Sequence, residues 1–313
     1  MKNNFIIIAS ALFIVIFLTL YFSISQIEVF VTTDDNILSE FTYGTNETSK
    51  IPNMIWTFWE GDKMDVVEKC IESWKFYNPS YKVVILNKSN YRDYIDDDID
   101  SIKHGNDSMA RFSDYVRLCV LAKYGGFWID ASIICHHPFT WLHGVQKKLD
   151  VELVGYYSDG FTLEEYKSCC PVIESWFFAC IPKSNYVTDW KNEFLSTKDY
   201  NAIDDYLTNI ERQKISTQKI GGLSNYLAIH IAAQKIMQTN RDKYNICLFS
   251  ACNGPFKTLC ISGWDLNDAI DKLTNKETCK EYYKYPFIKL RGEERDLMNK
   301  TINMNNAFSN STI

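Results

Sequence analysis

Asp130 sits in the run YGGFWIDASII (residues 124–134), a single carboxylate set in apolar sequence. Burying such a group is costly unless partners or hydrogen bonds offset its desolvation. Upstream, SDYVR carries Asp114 and Arg117 three residues apart. On a helix that spacing puts both side chains on one face. The pair reads either as a solvated ion pair worth about 0.2–0.5 kcal/mol or as a buried pair facing a polar ligand. Its neighbours Met109, Phe112, Tyr115, Val116, Leu118, Cys119, Val120 and Leu121 are apolar nearly all round, so the helix is expected to be buried. An arginine fork suits vicinal hydroxyls or phosphate, and a carboxylate oxygen suits a hard divalent cation. The acidic run Asp96-Asp97-Asp98-Ile99-Asp100 also contains an Asp-x-Asp pattern. It lacks a glycine turn and a strand of useful length, and it reads as a solvated acidic loop or helix start.

The elements that must position these residues follow from periodicity. Met54 to Trp59 reads as a strand, and Gly61 breaks it. Val67, Cys70, Ile71 and Trp74 recur at helical spacing within Val66 to Phe76. Lys82 to Leu86 (KVVIL) is a second strand. Strand, helix, strand in this order implies a βαβ unit and a parallel sheet. Ser108 is placed to cap a helix from Met109 to Tyr124, with Gly125 as its stop. Phe127 to Ile129 is then a short strand that delivers Asp130 to its carboxyl end, where ligands bind in open α/β sheets. Further on, Leu153 to Tyr157 and Ser175 to Ile181 read as strands. Tyr186 to Leu195 and Leu223 to Gln238 read as helices. Asn299 to Ile313 is polar and expected to fray.

The chain of 313 residues, 46 % apolar, can bury a sizeable core. Its net charge of −6 and the lack of a basic stripe point away from a nucleic-acid partner. Residues Phe5 to Phe22 carry no charge, and extension to Ile24 approaches the roughly 20 residues that span a bilayer core. A membrane anchor is expected over residues 5–25, after a short tail at 1–4 and before a polar stem at 26–50; a cleaved signal peptide is the alternative. Lys2 before the segment, and Glu28, Asp34 and Asp35 after it, favour a single-pass, type II orientation with an exported body. The sequons at Asn46, Asn87, Asn106, Asn299 and Asn310 fit a lumenal (Golgi or ER) setting or arise by chance in an Asn-rich chain. None of the 10 cysteines forms a CxxC pair, which argues against a zinc ribbon. Cys247, Cys252, Cys260 and Cys279 cluster late as candidates for disulfides.

The run SDYVRLCVLAKYGGFWIDAS (113–132) resembles the core motif of the capsular polysaccharide synthesis family, a group related to glycosyltransferase family 32 and more distantly to sugar-transferring bacterial toxins. IPNMIWTFWEG (51–61), CIESWKFYNPSYKVVIL (70–86), PVIESWFFACIPKSN (171–185) and PFIKLRG (286–292) resemble further blocks of the family, in order. The resemblance implies an α/β GT-A domain over residues 51–295, followed by a flexible tail at 296–313. That domain joins a Rossmann-like nucleotide half to an acceptor half. The implied activity is sugar transfer from a nucleotide-diphosphate donor to a saccharide or glycan acceptor, with retained anomeric configuration and a divalent metal, Mn²⁺ or Mg²⁺.

Carried over, Asp114 and Arg117 hold the donor sugar, Asp130 meets the sugar-nucleotide and metal region, and Trp56 lies near the base. Gly125 and Gly126 permit close approach of a ligand, besides ending the helix. Glu174 and Trp176 open a strand in the acceptor half and are expected to meet the acceptor. Many relatives carry a second metal-binding aspartate where this chain has Ser132, so the expected metal ligands are Asp130 and Ser132, with His136 or His230 as possible completions. For His230, a packed core histidine is the competing reading. Lys289 reads equally as a phosphate contact or a surface lysine. The rival to an enzyme is a non-catalytic, membrane-anchored saccharide-binding or scaffold protein that kept the fold.

Overall fold

The computed structural model describes residues 30–32, 50–62, 64–240 and 243–311. The expected anchor at 5–25 lies outside them. So does most of the expected stem. Among the described residues no helix is long and apolar enough to cross a membrane.

Met54–Phe58 (β2), Asp65–Tyr77 (α1) and Lys82–Leu86 (β3) form the expected βαβ unit, with β2 and β3 parallel. Met109–Tyr124 (α2) then leads through Gly125 into Gly126–Ile129 (β4), which pairs parallel with the other side of β2. The chain therefore switches direction across β2. The crevice beyond the carboxyl ends of β2 and β4 is where ligands lodge in such sheets.

The central sheet has seven strands. Phe30–Thr32 (β1), from the expected stem, pairs parallel with Ile246–Ser250 (β8) at one edge. Leu153–Tyr157 (β6) is parallel to β8, while Ile173–Cys180 (β7) runs antiparallel to both β6 and β4. The order is β1-β8-β6-β7-β4-β2-β3. A separate two-stranded ribbon pairs Ile133–Cys135 (β5) with Phe287–Lys289 (β9), antiparallel, with Ile133 opposite Lys289.

Successive side chains along a strand point to opposite faces, and two cores result. Ile55, Phe127 and Ile129 pack with Val66, Cys70 and Trp74 of α1 on one side. Trp56, Phe58 and Trp128 pack with Phe112, Val116 and Leu121 of α2 on the other. On that second side α2 also meets Asn185–Leu195 (α4), where Tyr115 stacks on Phe194 with ring centroids 4.3 Å apart. The first side is closed by the Thr140–Leu149 helix (α3), the β5–β9 ribbon and the Leu266–Thr274 helix.

Two sequence expectations need correction. The helix expected from Leu223 begins only at Ala228 and ends at Thr239, because a 3-10 turn at Gly221–Leu223 precedes it. The polar C-terminus does not fray throughout. A short helix at Gly292–Met298 is followed by a 3-10 segment at Met304–Ser311, in which Met304, Ala307 and Phe308 are buried against the first core. Its few apolar residues fall together on one side, a pattern masked by the surrounding asparagines.

Candidate functional site

The α2–β4 hairpin brings the three acidic and basic candidates together. Ser108 accepts a hydrogen bond from the Arg111 amide (3.1 Å) and caps α2, so Asp114 and Arg117 fall in its first half. From Arg117 to Tyr124 the helix descends about 10 Å at 1.5 Å per residue. From Gly126 to Asp130 the strand climbs back about 13 Å at 3.3 Å per residue. The two distances nearly match, so Asp130 returns alongside Arg117.

The Arg117 guanidinium bridges the two carboxylates. It donates to Asp114 Oδ1 (2.5 Å) and to Asp130 Oδ1 (3.0 Å). It also lies over the Trp128 ring, 4.8 Å from the centroid, a cation–π arrangement. The Trp128 indole N–H donates to the same Asp130 Oδ1 (3.0 Å). Arg117 itself is 5 % exposed, and among the described residues its buried Nε has no partner.

The other oxygen of Asp130 meets Lys289. Its ammonium donates to Asp130 Oδ2 (2.9 Å) and to Ser132 Oγ (3.0 Å). Ser132 in turn donates to the Leu290 carbonyl (2.7 Å), and its own carbonyl accepts from the Leu290 amide (3.0 Å). Of the two open readings for Lys289, the surface one is excluded: the residue is 7 % exposed. The β5–β9 ribbon places it, and its amide is bonded to the Pro255 carbonyl (2.9 Å). Pro255 lies inside the loop closed by a Cys252–Cys260 disulfide. Cys247 and Cys279, the other two cysteines of that cluster, are buried and take no part in that disulfide.

Electrostatics separates the two carboxylates. Burial pushes Asp114 up to about 6; Arg117 and His230 oppose the rise and Asp130 adds to it. Burial would raise Asp130 too, but Lys289 and Arg117 outweigh it and hold the group below the usual carboxylate range. Asp130 is therefore ionised at neutral pH and already faces two cations.

These residues do not fit a divalent metal as they stand. The two expected ligands, Asp130 and Ser132, share one ammonium between them. The remaining Asp130 oxygen is taken by Arg117 and Trp128. Among the described residues no group of three His, Cys, Asp or Glu side chains is placed to hold a metal. His136 is excluded from such a shell, because its two ring nitrogens face the carbonyls of Tyr285 (3.2 Å) and Ala307 (2.8 Å).

Other expected residues are elsewhere. Trp56 is 1 % exposed; its indole N–H donates to the Gly125 carbonyl (2.9 Å) and its ring packs between Tyr94 and Tyr124. It braces the turn below the site and offers no free face to a base. Gly125 and Gly126 are closed by protein, not opened to a ligand: an added Cβ would lie 2.5 Å from the Pro182 nitrogen and 2.5 Å from the Met54 carbonyl respectively. The Trp176 ring stacks on Tyr156 and packs against Phe256. Its contribution is through the backbone, where its carbonyl accepts from the Asp130 amide (2.9 Å). Glu174 is buried with Oε2 3.9 Å from His230 Nε2, and His230 acts electrostatically on Asp114, so this pair borders the cluster. Among the described residues, His230 Nδ1 and Trp176 Nε1 are also buried without a partner.

The acidic run at 96–100 is a set of surface ion pairs. Asp96 meets Lys123 (2.6 Å), Asp97 meets Lys191 (3.1 Å), and Arg92 meets Asp98 (3.6 Å) and Asp100.

Trp128 and Tyr226 were not singled out by sequence reasoning. Trp128 precedes Asp130 by two residues, which on a strand means the same face, and that signal was readable. Tyr226 is 68 % exposed and lies within electrostatic reach of Asp114, Asp130 and Arg117; no local pattern marks it.

Comparison with known proteins adds the family. A solved structure named "PaToxG Glycosyltransferase" matches over 88 % of this chain and 90 % of that one, at 12 % identity and a TM-score of 0.37, too loose a likeness to carry an argument. No curated protein matches. The family model described as capsular polysaccharide synthesis protein matches residues 27–289, the span that includes α2, β4 and Lys289. The chain belongs to the capsular polysaccharide synthesis protein family.

Proposed function

We propose that the protein is a glycosyltransferase that moves a sugar from a nucleotide-diphosphate-sugar donor to a saccharide or glycan acceptor. The observation that carries this reading is the Asp114–Arg117–Asp130–Lys289 network at the carboxyl end of β4. Family membership supports it. The mostly parallel sheet with one antiparallel strand, β7, between β6 and β4 suits a GT-A arrangement, with the donor over β2 and β4.

In this reading Asp114 accepts from hydroxyls of the donor sugar, and Arg117 orients Asp114 and Asp130. Asp130 fixes Arg117 and Lys289 in place. Glu174, His230 and Tyr226 border the acceptor side. Transfer proceeds with retention. The bond from the anomeric carbon to the phosphate oxygen breaks, and the diphosphate leaves with the electron pair. The acceptor oxygen bonds the anomeric carbon from the same face and gives its proton to the leaving phosphate. Apolar residues 5–25 anchor the chain in a membrane in type II orientation, with the body lumenal. The Cys252–Cys260 disulfide fits an oxidising compartment.

The test is nucleotide release from a panel of nucleotide sugars, with saccharide acceptors present. Wild type releases nucleoside diphosphate from at least one donor, and Asp130→Asn lowers the rate by about 10²-fold or more, the scale of losing a preorganised electrostatic group. Saccharide binding without release from any donor would favour the non-catalytic reading, to which Ser132 in place of a second carboxylate lends its support.

A further inference from the structure

We propose that the Lys289 ammonium is the resident cation of this site: it occupies the place of a divalent metal, receives the donor's diphosphate, and lets transfer run without metal. The inference rests on the glycosyltransferase reading and assigns the cation within it.

Three observations converge. First, one oxygen from each of the two expected metal ligands, Asp130 Oδ2 and Ser132 Oγ, bonds the same Nζ, at 2.9 and 3.0 Å. Second, Lys289 is built in. It is 7 % exposed, its strand pairs with β5, and its amide is held by Pro255 in the disulfide-closed loop. Third, the charges balance without a metal. Asp130 lies against Lys289 and Arg117, and a dication set between these two cations would be repelled by both.

An ammonium has three donors. Asp130 and Ser132 take two, and among the described residues the third has no partner. That donor is suited to bond a phosphate oxygen, where negative charge builds as the diphosphate leaves. A fixed cation there stabilises the transition state as a metal would, with no reorganisation. Asp130 then acts as a positioning residue that anchors the ammonium. Ser132 is the residue that admits it, since a second carboxylate at that position would favour a dication instead.

The experiment measures binding of UDP, GDP, ADP, CDP and dTDP to the purified full chain by calorimetry, in EDTA and in millimolar Mn²⁺. At least one nucleotide is expected to bind equally in both conditions. Lys289→Met should weaken it by about 10- to 100-fold, the scale of a hydrogen bond to a charged group, while Lys289→Arg keeps most of the affinity. The Ser132→Asp/Lys289→Ala double variant, which exchanges the ammonium for a carboxylate, should bind only with Mn²⁺. It also covers the case in which Lys289→Met does not fold.

Binding by wild type only with Mn²⁺ would overturn this inference and leave the transferase reading intact. Unchanged affinity in folded Lys289→Met, or metal-indifferent binding by the double variant, would overturn it as well. Failure of every nucleotide to bind in either condition would overturn both readings together.

Discussion

At the scale of single residues, the two carboxylates joined by Arg117 titrate in opposite directions from the same starting value. Asp130 faces two cations and is held low, whereas Asp114 shares one guanidinium and is pushed by burial up to about 6. The consequence for stability has a definite sign. At pH 3 both the native and the unfolded chain carry the Asp114 proton. Between the ordinary aspartate value of 3.8 and about 6 only the native state keeps it. The native state then binds more protons, so this group makes the fold less stable as pH rises through that window. Relative to Asp114→Asn, wild type should lose on the order of 1–3 kcal/mol between pH 4 and pH 7. Urea denaturation of both proteins at the two pH values measures this, and a relative gain for wild type would contradict the assignment. The pairing of Asp114 with Arg117 was legible from their three-residue spacing, as was the place of Asp130. The raised Asp114 value was not, because it comes from burial under elements distant in sequence, which outweighs the opposing pull of Arg117 and His230.

Among the elements, the α2–β4 hairpin was readable almost residue by residue. Ser108 caps, Gly125 stops, and a strand follows at once. What the spacing could not reveal is why two glycines are needed. Gly125 has φ 62° and Gly126 φ 97°, both favoured by glycine, and each lies against a neighbouring backbone. The turn must be tight because β4 is inserted between β2 and β7, and Trp56 bonds across its top. Gly126→Ala would set a Cβ 2.5 Å from the Met54 carbonyl. A backbone carbonyl in a central strand has little room to yield. The expected loss is about 2–4 kcal/mol, the range of strained-backbone and overpacking substitutions. It would appear in a denaturant midpoint, and an unchanged midpoint would refute the close packing. The β5–β9 ribbon is the opposite case. Each strand is three residues long, and their pairing joins positions more than 150 residues apart. No local period signals such a pairing, so Lys289 was left open between surface and site.

Across the whole molecule, the site depends on a support that polar composition concealed. The 3-10 segment at Met304–Ser311 packs behind β5, and the Ala307 carbonyl faces His136 immediately beyond that strand. Phe308 is 1 % exposed. The expectation of a loose tail came from its asparagines, yet three apolar residues at suitable spacing suffice when a groove awaits them. The same architecture explains why the two halves of the site differ in legibility. Asp114, Arg117 and Asp130 come from one continuous hairpin, whereas Lys289 and its backing come from the chain's last quarter folding back over the first core. Phe308→Ala should therefore cost about 3–5 kcal/mol if the cavity stays open, less if the segment collapses onto it. Loosening β5 should also disturb the Lys289 contacts that β5 and β9 set. Nucleoside diphosphate affinity should fall in Phe308→Ala even at temperatures where circular dichroism shows the protein folded, while Ile302→Ala, at a position 98 % exposed in the same stretch, should change neither quantity. Equal affinities in the two variants would mean that the C-terminal segment stabilises the fold without positioning the cation.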